Sequence, residues 1–129
     1  MIKHSTANFY IDNQGIVRIK VDKHAILGIE EAYEYTNIIE KICDGKKRTF
    51  LIDTRGTYST ASSEHRRFMG SNSRALKWRK ADAVLVDSLP LRLLAKFYML
   101  FDARKHPVKI FTDEKDALKW LALFNMENV

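Results

Sequence analysis

The sequence predicts one α/β domain built on a mixed, mostly parallel sheet, and three observations predict it. The hydrophobic rhythm switches repeatedly between a two-residue and a 3.6-residue period, the mark of strands and helices in alternation. The 129 residues match the usual size of one domain. No repeat, linker or low-complexity tract interrupts residues 1–129, so one core is expected.

Ala7–Ile11 and Ile16–Val21 are short β-rich runs separated by Asp12-Asn13-Gln14-Gly15. Turn residues between alternating runs predict a hairpin, with Gly15 free to take a positive φ. In the second run Ile and Val alternate with Arg and Lys, so one face is buried and the other wet. From Ile29 to Cys43, Ile29, Ala32, Tyr33, Thr36, Ile39 and Cys43 fall at helical spacing. Glu30, Glu31 and Glu34 stand in the first turns, where the helix dipole favours acids. Asp44-Gly45 ends the helix, with Gly45 suited to a left-handed cap. Thr49–Ile52 is a buried strand closing on Asp53, and Thr54–Ser63 is a polar loop. A helix is expected from about Ser62 to Trp78. Lys80-Ala81 leads into the strand Ala83–Val86, which closes on Asp87. A third helix, with Pro90 near its first position, runs from Ser88 or Leu89 to about Ala103. Val108–Phe111 is the last strand. Thr112 is expected to cap a final helix from Asp113 to about Phe124. The order is ββαβαβαβα, with helices crossing over between parallel strands after an antiparallel start.

Composition narrows the class. A hydrophobic fraction of 46% with 29% charged residues argues against disorder. Cys43 is the single cysteine, which excludes an intramolecular disulfide and fits a reducing, cytoplasmic compartment. The first residues show no secretory pattern, and no apolar run approaches the length of a membrane span. The net charge of +6 is uneven: residues 46–80 hold 10 cations against 2 acids, while the flanking segments are slightly acidic or neutral. A local basic surface is therefore expected.

Three stretches resemble the STAS domain fold of the anti-sigma-factor antagonists and their SpoIIAA-like and SEC14-related cousins. They are Phe50-Leu51-Ile52-Asp53-Thr54-Arg55-Gly56, Ala81–Ser88 with the apolar helix after it, and Val108–Leu121. The likeness is closest to a bacterial subgroup described only as STAS/SEC14-like, without an assigned activity. It implies a SpoIIAA-like domain and leaves function to be argued from sites. The antagonists carry a phosphorylatable serine in Asp-Ser-Ser-Gly. Here the matching region reads Ser59-Thr60-Ala61-Ser62-Ser63-Glu64, without the Asp or the Gly.

The residues offer four candidate sites. Ser59, Thr60, Ser62 and Ser63 lie at a helix start with Arg66 and Arg67 one turn on, suited to a phosphate or simply to capping. On the helix that follows, Arg66, Arg67, Arg74 and Lys77 oppose Phe68, Met69, Ala75 and Leu76, with Asn72 between the apolar positions. These cations are either a partner surface or a solvated face. The third helix has a broad apolar arc including Phe97, Tyr98 and Phe101, suited to an interface, a pocket or deep burial. Asp53 and Asp87 end two parallel strands beside Arg55, where ligands often bind. The histidines are scattered, Trp120 and Leu121 fit core positions of the last helix, and no metal, cofactor or catalytic set is expected. The function expected is therefore a non-catalytic regulatory or protein-interaction module. Its partner would be another protein or a second copy of itself. The alternative is a SEC14-like carrier of a lipid or other apolar molecule. Nucleic acid fits least, because no recognition motif accompanies the cations.

Overall fold

The structure, a computed structural model, describes residues 1–57, 60–87 and 106–126. The hairpin forms from β2 (Ala7–Ile11) and β3 (Val17–Val21), with a short β1 (Ile2–Lys3) added outside β2. Asp12 closes the turn by accepting from the N–H groups of Gln14 and Ile16 at 2.9 and 3.0 Å. Gly15 has φ +81°. β4 (Ile26–Leu27) precedes α1 (Ile29–Cys43), which ends through left-handed Asp44 and Gly45. Tyr35, not Tyr33, completes the inner face of α1: Tyr35 is buried and Tyr33 is 51% exposed.

β5 (Arg48–Asp53) follows, then a loop pinned by β6 (Thr60–Ala61), which pairs with β4 in a small parallel sheet. The helix expected from Ser62 to Trp78 is instead two, α2 (Ser63–Ser71) and α3 (Ser73–Leu76). Asn72 causes the break. Its backbone is extended, and its side chain accepts from the N–H groups of Arg74 and Ala75 at 3.0 and 3.2 Å. Short polar side chains compete with the helix in this way, and Gly70 and Ser71 just before it add little helical preference.

β7 (Arg79–Leu85) begins earlier than its apolar run suggests, because Arg79 and Asp82 are buried as a pair. β8 (Val108–Phe111) is as expected, and α4 (Glu114–Asn125) is capped by Asp113 in place of Thr112: the Asp113 carboxylate accepts from the Lys115 N–H at 2.7 Å. The expected helix from residue 88 to 103 lies outside the described residues.

The main sheet runs β1-β2-β3-β5-β7-β8, antiparallel across the first three strands and parallel from β3 onward. Two-residue alternation divides its side chains. Phe9, Val17, Ile19 and Phe50 face α1 and meet Tyr35, Ile39 and Cys43. Leu51, Ala81, Ala83 and Leu85 face the other way and meet Ala117 and Leu121 of α4. Trp120 is half-buried, its ring tilted against Phe111 and edge-to-face with Phe124. α4 covers β5, β7 and β8, so the strip of β2 and β3 beside it carries polar side chains.

One buried charge cluster joins the layers. Arg79 grips both oxygens of Asp82 and donates to the carbonyls of Met69 and Ala75 at 2.5 and 3.3 Å. His106 bonds the same carboxylate at 3.0 Å. Burial pushes the Asp82 carboxyl up, but Arg79 and His106 outweigh it and hold it down to about 2. This cluster fastens the α2–α3 junction and the approach to β8 onto β7.

Candidate functional site

The carboxyl ends of β5 and β7 bring together the polar residues that the sequence offers there. After β5 the chain turns over Asp53-Thr54-Arg55-Gly56, and Gly56 takes φ +73°. Arg55 folds back onto Asp53 with a two-pronged grip, its Nε and Nη2 at 3.0 Å from the two oxygens, while its backbone N–H donates to Oδ1 at 3.0 Å. Asp87 reaches across from β7 and accepts from the Gly56 N–H at 2.7 Å. Thr54 adds two bonds, from its N–H and hydroxyl, to the Leu85 carbonyl. The loop is thus latched to both strands.

Residues that sequence reasoning missed complete the network. Glu114, the first residue of α4, accepts from Arg55 at 3.2 Å and pairs with Arg18 at 3.4 Å. Arg18 donates in turn to Asp12 at 2.9 Å. Lys20 donates to the Arg55 carbonyl at 2.6 Å and lies 3.6 Å from Asp53. The outward positions of β3 were legible in its alternation, but nothing local tied them to Glu114, nearly a hundred residues on. Burial pushes the Asp53 carboxyl up, yet Arg55 and Lys20 hold it below its ordinary value. Arg55 is correspondingly raised, chiefly by its bond to Asp53. Asp12 follows the same pattern: burial raises it, but the Ile16 and Gln14 N–H groups and Arg18 bring it below its ordinary value. Beside this network lies a groove of about 300 Å³ lined by Asn8, Tyr10, Arg18, Lys20, Asp53 and Glu114, with Leu51 at its floor.

The serine cluster is partly described. Ser59 lies outside the described residues. Thr60 sits in β6, and its N–H donates to the Ala25 carbonyl. Ser62 caps α2 by accepting from the His65 N–H at 3.0 Å. Arg66 donates to the Ala61 carbonyl at 2.6 Å and to the Ser63 hydroxyl at 3.3 Å, so its guanidinium lies over the helix start. The buried His65 ring bonds the Gly28 carbonyl at 3.0 Å, and burial lowers its pKa.

The four cations of the expected basic surface do not share one helix. Arg67 is exposed on α2. Arg74, on α3, forks onto both oxygens of Glu40 at 3.1 and 3.2 Å and onto Asn37 at 2.7 Å. Lys77, just past α3, lies over the Trp78 ring at 5.0 Å. Phe97, Tyr98 and Phe101 lie outside the described residues. Among the described residues, no group of three or more His, Cys, Asp or Glu is placed to hold a metal. No described helix is long and apolar enough to cross a membrane.

A mixed sheet with helices on both faces defines a class of fold, and a solved structure shares it. An uncharacterised protein of the DUF3478 family from Shewanella loihica PV-4, with a SpoIIAA-like fold, aligns over 94% of this chain and 98% of its own at a TM-score of 0.56 and 17% identity. The fold here is SpoIIAA-like. A protein of unknown function from Arthrobacter sp. FB24 is 24% identical over 95% of this chain and 98% of its own, at a TM-score of 0.36. The family model described as Domain of unknown function (DUF7793) matches residues 9–125, and the chain belongs to that family. No curated protein matches it.

Proposed function

We propose that this chain is a non-catalytic regulatory or protein-interaction module. Its partner surface is the latched loop 53–57 together with the first turn of α2. One observation carries the reading: the side chains that chemistry would need at the strand ends are engaged in holding the loop. Both oxygens of Asp53 are bound by Arg55, and Asp87 accepts from the Gly56 N–H. A carboxylate pinned by an arginine below its ordinary pKa is a poor general base near neutrality. A loop fixed in advance loses little entropy when a partner docks on it.

The test compares proteins captured from native lysate by the wild-type chain and by an Arg55→Ala variant, with circular dichroism confirming that both are folded. A protein enriched by the wild type and lost with Arg55→Ala is expected. Identical capture by the two would remove the loop as the partner surface. Ser62→Asp and Ser63→Asp, run alongside, report whether charge at the α2 start alters the same capture.

A further inference from the structure

The cationic tracts of the sequence meet at the end of the sheet away from the latched loop. The turn 44–48 enters β5 and the segment 77–80 enters β7. The Arg48 N–H donates to the Trp78 carbonyl at 2.9 Å, and Arg48 is in register with Arg79. These two tracts carry Lys46, Lys47, Arg48, Lys77, Arg79 and Lys80 against a single acid, Asp44. Arg79 is engaged with Asp82. Lys46, Lys47 and Lys77 are exposed, and among the described residues none of the four lysines forms an ion pair. Glu40, whose carboxyl feels Lys77, is already held by the Arg74 fork. Behind the lysines, Arg48 Nε and Trp78 Nε1 are buried without an acceptor among the described residues. This pole is rich in cations, with Asp44 the one acid of its two tracts.

The last turn of α4 ends at the same place, since Asn125 Nδ2 donates to the Thr49 hydroxyl at 3.4 Å. Leu123 and Met126, near and at the end of this helix, are 59% and 66% exposed.

We propose that this pole, built from Lys46, Lys47, Lys77 and Lys80 with Leu123 and Met126, docks on an anionic membrane surface. A polybasic cluster is drawn to acidic headgroups, and exposed hydrocarbon beside it adds partitioning that charge alone does not supply. Phosphodiester backbones would reward the lysines but not the Leu–Met pair. The Trp78 ring, which could stack on a base, has Lys77 over its face. The site is separate from loop 53–57 and stands whether or not that loop binds a protein.

The full chain is sedimented with vesicles of phosphatidylcholine, and of phosphatidylcholine mixed with phosphatidylglycerol, at low and high salt. Binding to the anionic vesicles alone, released by salt, is expected. Each lysine near such a surface is worth about five-fold in partitioning, so Lys46→Gln with Lys47→Gln lowers binding at least about ten-fold. Leu123→Ser with Met126→Ser weakens it several-fold with the charge unchanged. All four positions are exposed, and circular dichroism confirms that the variants are folded. Equal binding to neutral vesicles, or binding indifferent to the lysine pair, overturns the proposal. So does unchanged binding of the Leu–Met variant combined with full displacement by duplex DNA, which marks a general polyanion surface instead.

Discussion

Replacing Asp82 by Asn tests the buried charge cluster most directly. The substitution keeps the side chain's size and one acceptor but leaves the Arg79 guanidinium buried without a counter-charge. Holding the carboxyl at about 2 rather than its ordinary 3.8 corresponds to about 2 kcal/mol of native-state stabilisation at neutral pH. That figure is contained in the about 3–5 kcal/mol that removing one partner of a buried pair costs, because the substitution also strands Arg79. A loss of ~3 kcal/mol is expected, a large share of the roughly 5–15 kcal/mol that holds a domain together. At about 3 °C per kcal/mol for a chain of this size, the thermal midpoint falls by ~10 °C. Urea unfolding followed by circular dichroism measures the difference. The pH dependence has a definite sign. The folded-state pKa of Asp82 is depressed, so its contribution is complete above the ordinary value of 3.8 and is lost as pH falls through about 2. Wild type minus Asp82→Asn isolates this group from the other carboxylates that titrate in the same window. Arg79→Met with Asp82→Leu, which replaces the pair by hydrocarbon, should recover most of the loss. A variant within about 1 kcal/mol of wild type, with a flat difference across that window, would refute the reasoning.

Three further outcomes follow from single contacts. Gly56→Ala should cost ~1 kcal/mol by urea unfolding. An added Cβ there meets nothing within 4 Å, so the cost is the left-handed backbone alone. Asn72→Ala removes the cap between α2 and α3 and should destabilise by about 0.5–2 kcal/mol, with faster amide exchange at Arg74 and Ala75. The Cys43 thiol is buried and pushed up to about 11 by that burial. It should alkylate at least about a hundredfold more slowly in the folded chain than in urea, given the lost thiolate; comparable rates would mean that Cys43 is exposed in solution.

Local periodicity made the fold legible. Val17-Arg18-Ile19-Lys20-Val21 can bury one face only as a strand, and the spacing of Ala32, Thr36, Ile39 and Cys43 can do so only as a helix. The Asp-Thr-Arg-Gly turn after β5 was equally readable, because its bonds run between neighbours in the chain. Local signals were weaker where two rules compete: an apolar spacing continued through Asn72, but the side chain's own hydrogen bonds broke the helix there.

From the residues alone came the alternation of strands and helices, the hairpin, the strand-end position of Asp53 and Asp87, and the concentration of positive charge in residues 46–80. Tertiary structure decided which of those charges face one another. Glu114 joins Arg18 to Arg55, Arg74 turns to Glu40, and Arg79 is buried on Asp82. The lysines at 46–47 and 77–80 are left side by side because β5 and β7 pair in parallel. Hydrophobic period is a property of adjacent residues and survives in the one-dimensional chain. An ion pair depends on the distance between groups that the sheet brings together from far apart, so it exists only once the strands are in register.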